Sequence, residues 1–371
     1  MKIGILTLPP RANYGGILQA YALQTVLERM GNEVELIRIQ KRKPRGLILR
    51  LCAYGFRMTR NLFRKDKTPV FIEYYEKNMS KHTWRFIQSY IHQTVLKDFT
   101  EENLSKYDVI VVGSDQIWRR QYIPSTGLNI ADVFGKSILE SKIRLVAYAA
   151  SFGVHNWEFT KDETEIIRCG LEGFKAVSVR EDSGVVLCRN LGINAKHVID
   201  PTMLLDKSDY LRLVDKSKIK CRKSGLMTYV LDMTSEKEAF IQRLAEEKGL
   251  NIFATNNPKV SDPNAKLSEK QQPPLEQWLQ GFEDAEFVIT DSFHACVFSI
   301  LFGKPFVAIG NSERGMARFT SLLNMFGLQK HLLVSLSDYN PNDNYEIDSS
   351  IKKKLDEYRK EGMQFLDEAL N

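Results

Sequence analysis

The chain has 371 residues, 43% hydrophobic and 26% charged, the balance of a globular protein long enough for two domains. Its five scattered cysteines include no CxxC pair, which argues against a disulfide framework or a zinc site and for a reducing compartment. The net charge of +6 is uneven: residues 41–67 hold ten Lys or Arg against one acid, a local +9, so the rest of the chain sums to −3.

The chain opens on an apolar strand, Lys2–Thr7, without the charged and apolar regions of a signal peptide. No run approaches the roughly 20 apolar residues of a membrane span, so a cytoplasmic protein is expected. A loop containing Asn13-Tyr14-Gly15-Gly16 follows, then a helix from about Ile17 to Met30 and a strand, Glu33–Ile39. The basic block comes next. Between Gly46 and Arg64 the apolar residues Leu47, Leu51, Tyr54, Met58 and Leu62 recur at helical spacing, with Arg50, Arg57, Arg60 and Arg64 on another face. Such a helix either meets an anionic membrane surface or packs its stripe on its own domain. Nucleic acid is not expected as a partner, because the block carries no recognised binding motif.

Residues 70–100 read as irregular helices. Short β-branched runs follow at Val109–Val112, Arg144–Ala149, Ala176–Val179 and His197–Ile199, with helices near Asp162–Glu172 and from Glu181. A second strand–helix series begins near Gly225. Its strands are LMTYVLD, NIFAT, EFVIT and PFVAIG, and its helices Ser235–Lys248, Leu275–Gly281 and Phe293–Phe302. Alternation of this kind predicts two Rossmann-like, doubly wound α/β domains with a cleft between them. The expected units are 1–205 and 225–345. A last helix, Ser349–Leu370, falls in a tail, 346–371, expected to pack back on the first domain.

Ligands of open parallel sheets bind beyond the carboxyl ends of the strands, so the residues there are the candidates. Gly15 and Gly16, with Asn13 and Tyr14, could present backbone amides to an anion or a sugar oxygen, or simply make a turn. Neither GxGxxG nor GxxxxGK[ST] is present. Asp115, Gln116 and Trp118 suit a sugar, whose apolar face stacks on indole; the alternative is an Asx turn beside a core tryptophan. Arg180 closes its strand either as an anion ligand or as the partner of a nearby acid. Asp291 or Ser292 can cap the helix that carries His294, and Arg314 and Arg318 lie just past the next strand. No cluster shows metal-ligand spacing.

Taken together, NYGGILQAYALQ (13–24), VVGSDQIWR (111–119), YAASFG (148–153), VSVREDSG (177–184), VIDPTMLL (198–205) and VITDSFHACVFSILFGKP (288–305) resemble the polysaccharide pyruvyltransferase family. The resemblance runs over about residues 1–330 and leaves out the basic block. It implies a GT-B-like pair of domains, the first on the acceptor side and the second on the donor side. It also implies transfer of the enolpyruvyl carbons of phosphoenolpyruvate (PEP) to two hydroxyls of one sugar, with PEP as donor substrate and no cofactor. Arg180 matches the family's VSVR arginine and His294 its histidine. Many members read Ser-Arg-Leu-His where this chain has Asp291-Ser292-Phe293-His294, so the arginine of that motif is Ser292 here. Arg314 or Arg318 then becomes the replacement charge of the PEP site.

The implied chemistry uses these residue types. His294 would be the general acid, Asp291 its orienting partner, and Asp115 the group that holds or deprotonates the acceptor. The acceptor would be a hexose such as galactose on a polyprenyl diphosphate carrier, met at a membrane surface through residues 41–67, in capsule or surface polysaccharide synthesis. Two alternatives use the same fold: a nucleotide-sugar glycosyltransferase and a non-catalytic sugar-binding protein.

Overall fold

The computed structural model describes residues 1–40, 46–62, 72–217, 223–260, 265–310 and 315–371. The first half forms a seven-stranded sheet from β1 (Lys2–Leu6), β2 (Glu33–Ile39), β3 (Gln93–Leu96), β4 (Val109–Val112), β5 (Arg144–Ala150), β6 (Phe174–Val179) and β7 (Ala195–His197), in the order β3-β2-β1-β4-β5-β6-β7. The second half forms a five-stranded sheet from β8 (Gly225–Tyr229), β9 (Ile252–Ala254), β10 (Ala285–Thr290), β11 (Phe306–Ile309) and β12 (Leu332–Leu333), in the order β12-β11-β10-β8-β9. Every pairing is parallel, with Ile3 opposite Val109 and Val288 opposite Phe306. These are two doubly wound, Rossmann-like units in a GT-B-like arrangement.

Each strand order reverses at one point, β1/β4 in the first sheet and β8/β10 in the second. Those switch points open the crevices in which such sheets bind ligands. One core runs between the two sheets. It joins Ile17, Leu18 and Leu23 of the Tyr14–Arg29 helix to Trp278, Phe282 and Phe298 of the second half. Separate clusters cover the outer faces, around Trp118, Phe134 and Phe174 on one sheet and Phe240, Phe287 and Tyr345 on the other.

The Ser349–Leu370 helix returns to the first sheet. Phe365 meets Tyr148 at 6.1 Å between ring centroids, Arg144 donates to the Leu370 carbonyl at 2.6 Å, and Arg359 donates to the Met203 carbonyl at 3.0 Å.

Three of the boundaries that differ from the sequence reading are these. The first helix starts at Tyr14 instead of Ile17, because Asn13 takes the N-cap and its side chain accepts from Gly15 N–H at 3.1 Å. Within 70–100, the helices Ile72–Met79 and Lys81–Tyr90 are followed by the edge strand β3. β7 ends at His197, since Asp200 then nucleates the turn Pro201–Leu204 by accepting from Thr202 N–H. Among the described residues no helix is long and apolar enough to cross a membrane.

Candidate active site

Both switch points feed one cavity of about 260 Å³. From the first half it is lined by Leu8, Asn13, Asp115, Gln116 and Tyr122, and from the second by Leu231, Asp291, Ser292, Phe293, His294, Arg318 and Phe319. That volume lies just below the range of roughly 300–1,000 Å³ usual for drug-sized ligands. It suits a small charged molecule with part of a second one.

The β4 side is built under backbone constraint. Gly113 has φ 126° and approaches β5 so closely that a Cβ there would sit 2.1 Å from the Tyr148 carbonyl oxygen. Asp115 itself is in the left-handed region at φ 59°, and Ala149 opposite has φ 49° in a bulge of β5. The bulge is tied down by Ser114 Oγ, which donates to the Ala149 carbonyl at 3.0 Å, and by Ser178 Oγ, which accepts from Ala149 N–H at 3.1 Å. Asp115 is thereby aimed into the cavity. Gln116 beside it accepts from Arg119 at 3.0 Å.

The β10 side presents the start of the Phe293–Phe302 helix, since Ser292, Phe293 and His294 all line the cavity. Ser292 occupies the N-cap position, but its side chain makes no capping bond. The Asp291 carboxylate does not cap either. It accepts from Leu231 N–H at 2.6 Å, Asp232 N–H at 3.1 Å and Lys237 Nζ at 2.9 Å, and so fixes the loop after β8. Asp291 is therefore not the partner of His294. That place is taken by Asp200, whose Oδ2 lies 3.7 Å from His294 Nε2. The ring packs on Gly15 at the start of the first helix, where a Cβ would come within 2.1 Å of it.

Beneath the cavity is a buried ion network. Arg180 donates to Asp200 Oδ2 at 2.6 Å and lies 3.4 Å from Asp115 Oδ1, with its own side chain 1% exposed. Asp200 Oδ1 accepts from Thr202 N–H at 3.0 Å and Thr202 Oγ at 2.6 Å. Burial pushes both carboxyls up, but the surrounding charges and hydrogen bonds outweigh it. His294, Arg180 and Thr202 hold Asp200 low, while Arg180, His294 and Arg318 hold Asp115 low. Arg180 and Arg318 share the ring of Phe293, at 4.5 and 5.4 Å from its centroid. Burial and the charge of Arg180 push the Arg318 guanidinium down to about 10. A small anion entering beside Arg318 would relieve both effects.

Several expected site residues lie elsewhere. Arg180 is behind the cavity wall and serves as the partner of two acids. Trp118 is buried in the outer core, 5.3 Å from both Phe134 and Phe152 between ring centroids, and offers no stacking face to a ligand. Tyr14 donates to the Pro273 carbonyl at 2.6 Å and packs on Tyr229 and Trp278, so it joins the two halves. Gly15 and Gly16 belong to the first helical turn, where Gly15 makes room for His294 and Gly16 lies against Asp115. Arg314 falls outside the described residues. Those that do converge are Asn13, Asp115, Gln116, Asp291, Ser292, His294 and Arg318. Among the described residues no group of three or more His, Cys, Asp or Glu is placed to hold a metal ion.

The sequence profile of polysaccharide pyruvyl transferases matches residues 13–313. The chain belongs to this family. The pyruvyl transferase match takes in every residue lining the cavity except Leu8, Arg318 and Phe319, and it supports transfer of pyruvyl groups to polysaccharide as the activity. No curated protein matches the chain. Among solved structures it is similar to UDP-GlcNAc 2-epimerase from Neisseria meningitidis, with 11% identity over 98% of this chain and 94% of that one and a TM-score of 0.49. It is also similar to UDP-GlcNAc 2-epimerase from Methanocaldococcus jannaschii, with 12% identity over 96% and 92% and a TM-score of 0.45.

Asp200 and Thr202 of this pyruvyl transferase were not singled out by sequence reasoning. Their signal was the acid in VIDPT, an Asp-Pro turn directly after a strand.

Proposed function

We propose that this transferase takes phosphoenolpyruvate as donor and closes a pyruvate ketal on two hydroxyls of one sugar, with release of phosphate. The observation that carries this is the single cavity in which Asp115 of one half faces His294, Ser292 and Arg318 of the other. The donor's anionic groups sit at the start of the Phe293–Phe302 helix beside Arg318, where helix dipole and guanidinium act together. The acceptor lies toward Asn13, Asp115 and Gln116. His294 gives a proton to the methylene carbon, and the resulting cation at C2 is attacked by the first hydroxyl. Phosphate then leaves, and the second hydroxyl closes the ring. One hydroxyl proton thus balances the methylene carbon and the other the departing phosphate. Asp115, held ionised, accepts the hydrogen bond of the attacking hydroxyl. PEP is a substrate here, and no resident cofactor takes part in these steps.

The direct test is phosphate release from PEP against a panel of free and lipid-linked galactosides, glucosides and mannosides. Release with none of them, but turnover of a nucleotide sugar, would overturn the assignment. Arg318→Ala is expected to weaken PEP binding by roughly 10–150-fold, the loss of one charge-assisted contact worth about 1.5–3 kcal/mol. Isothermal titration on the folded variant reads this, and unchanged affinity would remove Arg318 from the donor site.

The acceptor is a sugar on a polyprenyl diphosphate carrier, for surface polysaccharide, and the enzyme works at the inner face of a membrane. Support comes from the helix Leu47–Leu62, which contains three Arg and no acid. Leu51, Phe56 and Met58 are 58%, 67% and 60% exposed, and Cys52, Gly55 and Thr59 between them are exposed as well. The outward arc is therefore uncharged, while Arg57 and Arg60 sit on the half-buried side. The more basic flanks at 41–45 and 63–67 lie outside the described residues. An arc of this kind dips into the headgroup boundary while nearby cations contribute about 1 kcal/mol each against anionic lipid. Co-sedimentation with anionic liposomes should be strong at low salt and should fall when Leu51, Phe56 and Met58 become Ser. Turnover of a short soluble acceptor should not change. A wild-type protein that ignores such liposomes at low salt would rule the membrane out as its partner.

A further inference from the structure

Among the buried acids that the mechanism above leaves unused is Asp200. Asp200 has a side chain with 0% exposure, and its two oxygens have different neighbours. Oδ1 is occupied by Thr202 through both N–H and Oγ. Oδ2 is shared among Arg180 Nη1 at 2.6 Å, Ser114 Oγ at 3.5 Å and His294 Nε2 at 3.7 Å. His294 Nε2 is itself buried and makes no hydrogen bond. The ring thus points Nε2 at a carboxylate inside the protein; Nδ1, which lies against Gly15 at the start of the first helix, is the remaining nitrogen of a ring that lines the cavity.

The geometry points to Asp200 as the positioning residue of the pyruvyl transfer proposed above, orienting His294 so that Nε2–H faces Asp200 Oδ2 and Nδ1 faces the donor. A carboxylate placed against one imidazole nitrogen selects the tautomer and favours the ring that carries both protons. Nδ1–H is then the proton delivered to the methylene carbon, and the ring left behind is the Nε2–H tautomer, already hydrogen-bonded in the resting direction. Closing the remaining gap of 3.7 Å to hydrogen-bond length needs only a small shift, as is common when a catalytic pair tightens around its substrate. Arg180 is part of the same device. By pairing with Oδ2 from the far side, it fixes the carboxylate and keeps it ionised.

The first experiment needs no substrate and reads the wild-type protein, a variant serving only to assign its signal. Nitrogen-15 NMR of the histidines, with His294 assigned by its loss in His294→Gln, should show the neutral ring protonated on Nε2. A neutral ring protonated on Nδ1 would overturn the proposal whether or not PEP is the donor. The second experiment is Asp200→Asn, which keeps the shape and one oxygen for Arg180 but removes the charge. Turnover should fall roughly 10–100-fold with the donor KM little changed, as for other partners that orient a catalytic group. Asp200→Glu should recover part of the rate if the carboxylate itself matters. An unchanged kcat in folded Asp200→Asn, or a loss confined to KM, would overturn the positioning role. Should Asp200→Asn fail to fold, the wild-type tautomer still decides.

Discussion

Replacement of His294 by Ala is expected to cut turnover by about 10²–10⁴ while PEP binding stays close to normal. The reason is the division of labour in the cavity. Arg318 and the start of the Phe293–Phe302 helix supply the attraction for an anion, and neither depends on the imidazole. Among these groups, the His294 imidazole is the one placed to pass a proton to the donor's methylene carbon. Gln is the better partner variant, because Ala leaves a gap where the ring packs on Gly15. Single-turnover rates and titration with PEP, both on protein with wild-type melting behaviour, separate the two effects. A near-normal rate would remove His294 from the acid role. Loss of binding and rate together would make it a donor ligand as much as a catalyst.

The fold was legible because its signals are periodic. β-branched runs ending in small or polar residues, alternating with amphipathic helices, leave few topologies once crossovers are right-handed. Elements without such a signal were missed. β3 and β12 are edge strands, Gln93–Leu96 and Leu332–Leu333, too short to carry a period of their own. Their existence is decided by the neighbour they pair with, β2 in one case and β11 in the other. The start of the first helix was misplaced for a different reason. Two glycines read as a loop in sequence, yet here they sit in the first turn because Gly15 must pass close to His294, a contact between halves of the chain that no local pattern can encode.

The same distinction runs through the site. Residues directly after strands were found because topology alone places Asp115, Ser292 and His294 at the cleft. The direction of a side chain depends on partners distant in sequence, so sequence reasoning left Trp118 with two readings, ligand face or core, and misassigned Asp291. Trp118 turns into the outer core and Asp291 turns to the loop after β8. Asp200 was overlooked because its importance lies in Arg180 and His294, which are 20 and 94 positions away along the chain.

For Arg180 the sequence leaves two readings, anion ligand or partner of a nearby acid, and the two predict different outcomes for its variants. As an anion ligand, its loss would weaken PEP binding and spare the fold. As observed, it is the buried counter-charge of Asp115 and Asp200, and Arg180→Ala is expected to cost roughly 3–5 kcal/mol of folding stability by stranding two carboxylates. Lysine should restore only part of this, having no planar fork to reach both acids. The pH dependence carries a distinct sign. Both carboxyls are held below their ordinary range in the folded wild type. Their contribution is therefore present above the unfolded value, near 3.9, and is lost as pH falls through the folded values. Without Arg180, burial dominates and the folded values rise. The variant is then penalised most at neutral pH and gains relief as its acids protonate. Thermal melts at about pH 7 and about pH 4 should show the gap between wild type and Arg180→Ala narrowing on acidification. A variant that melts like wild type at both, yet no longer binds PEP, would return Arg180 to the donor site and require the cavity wall to open around it.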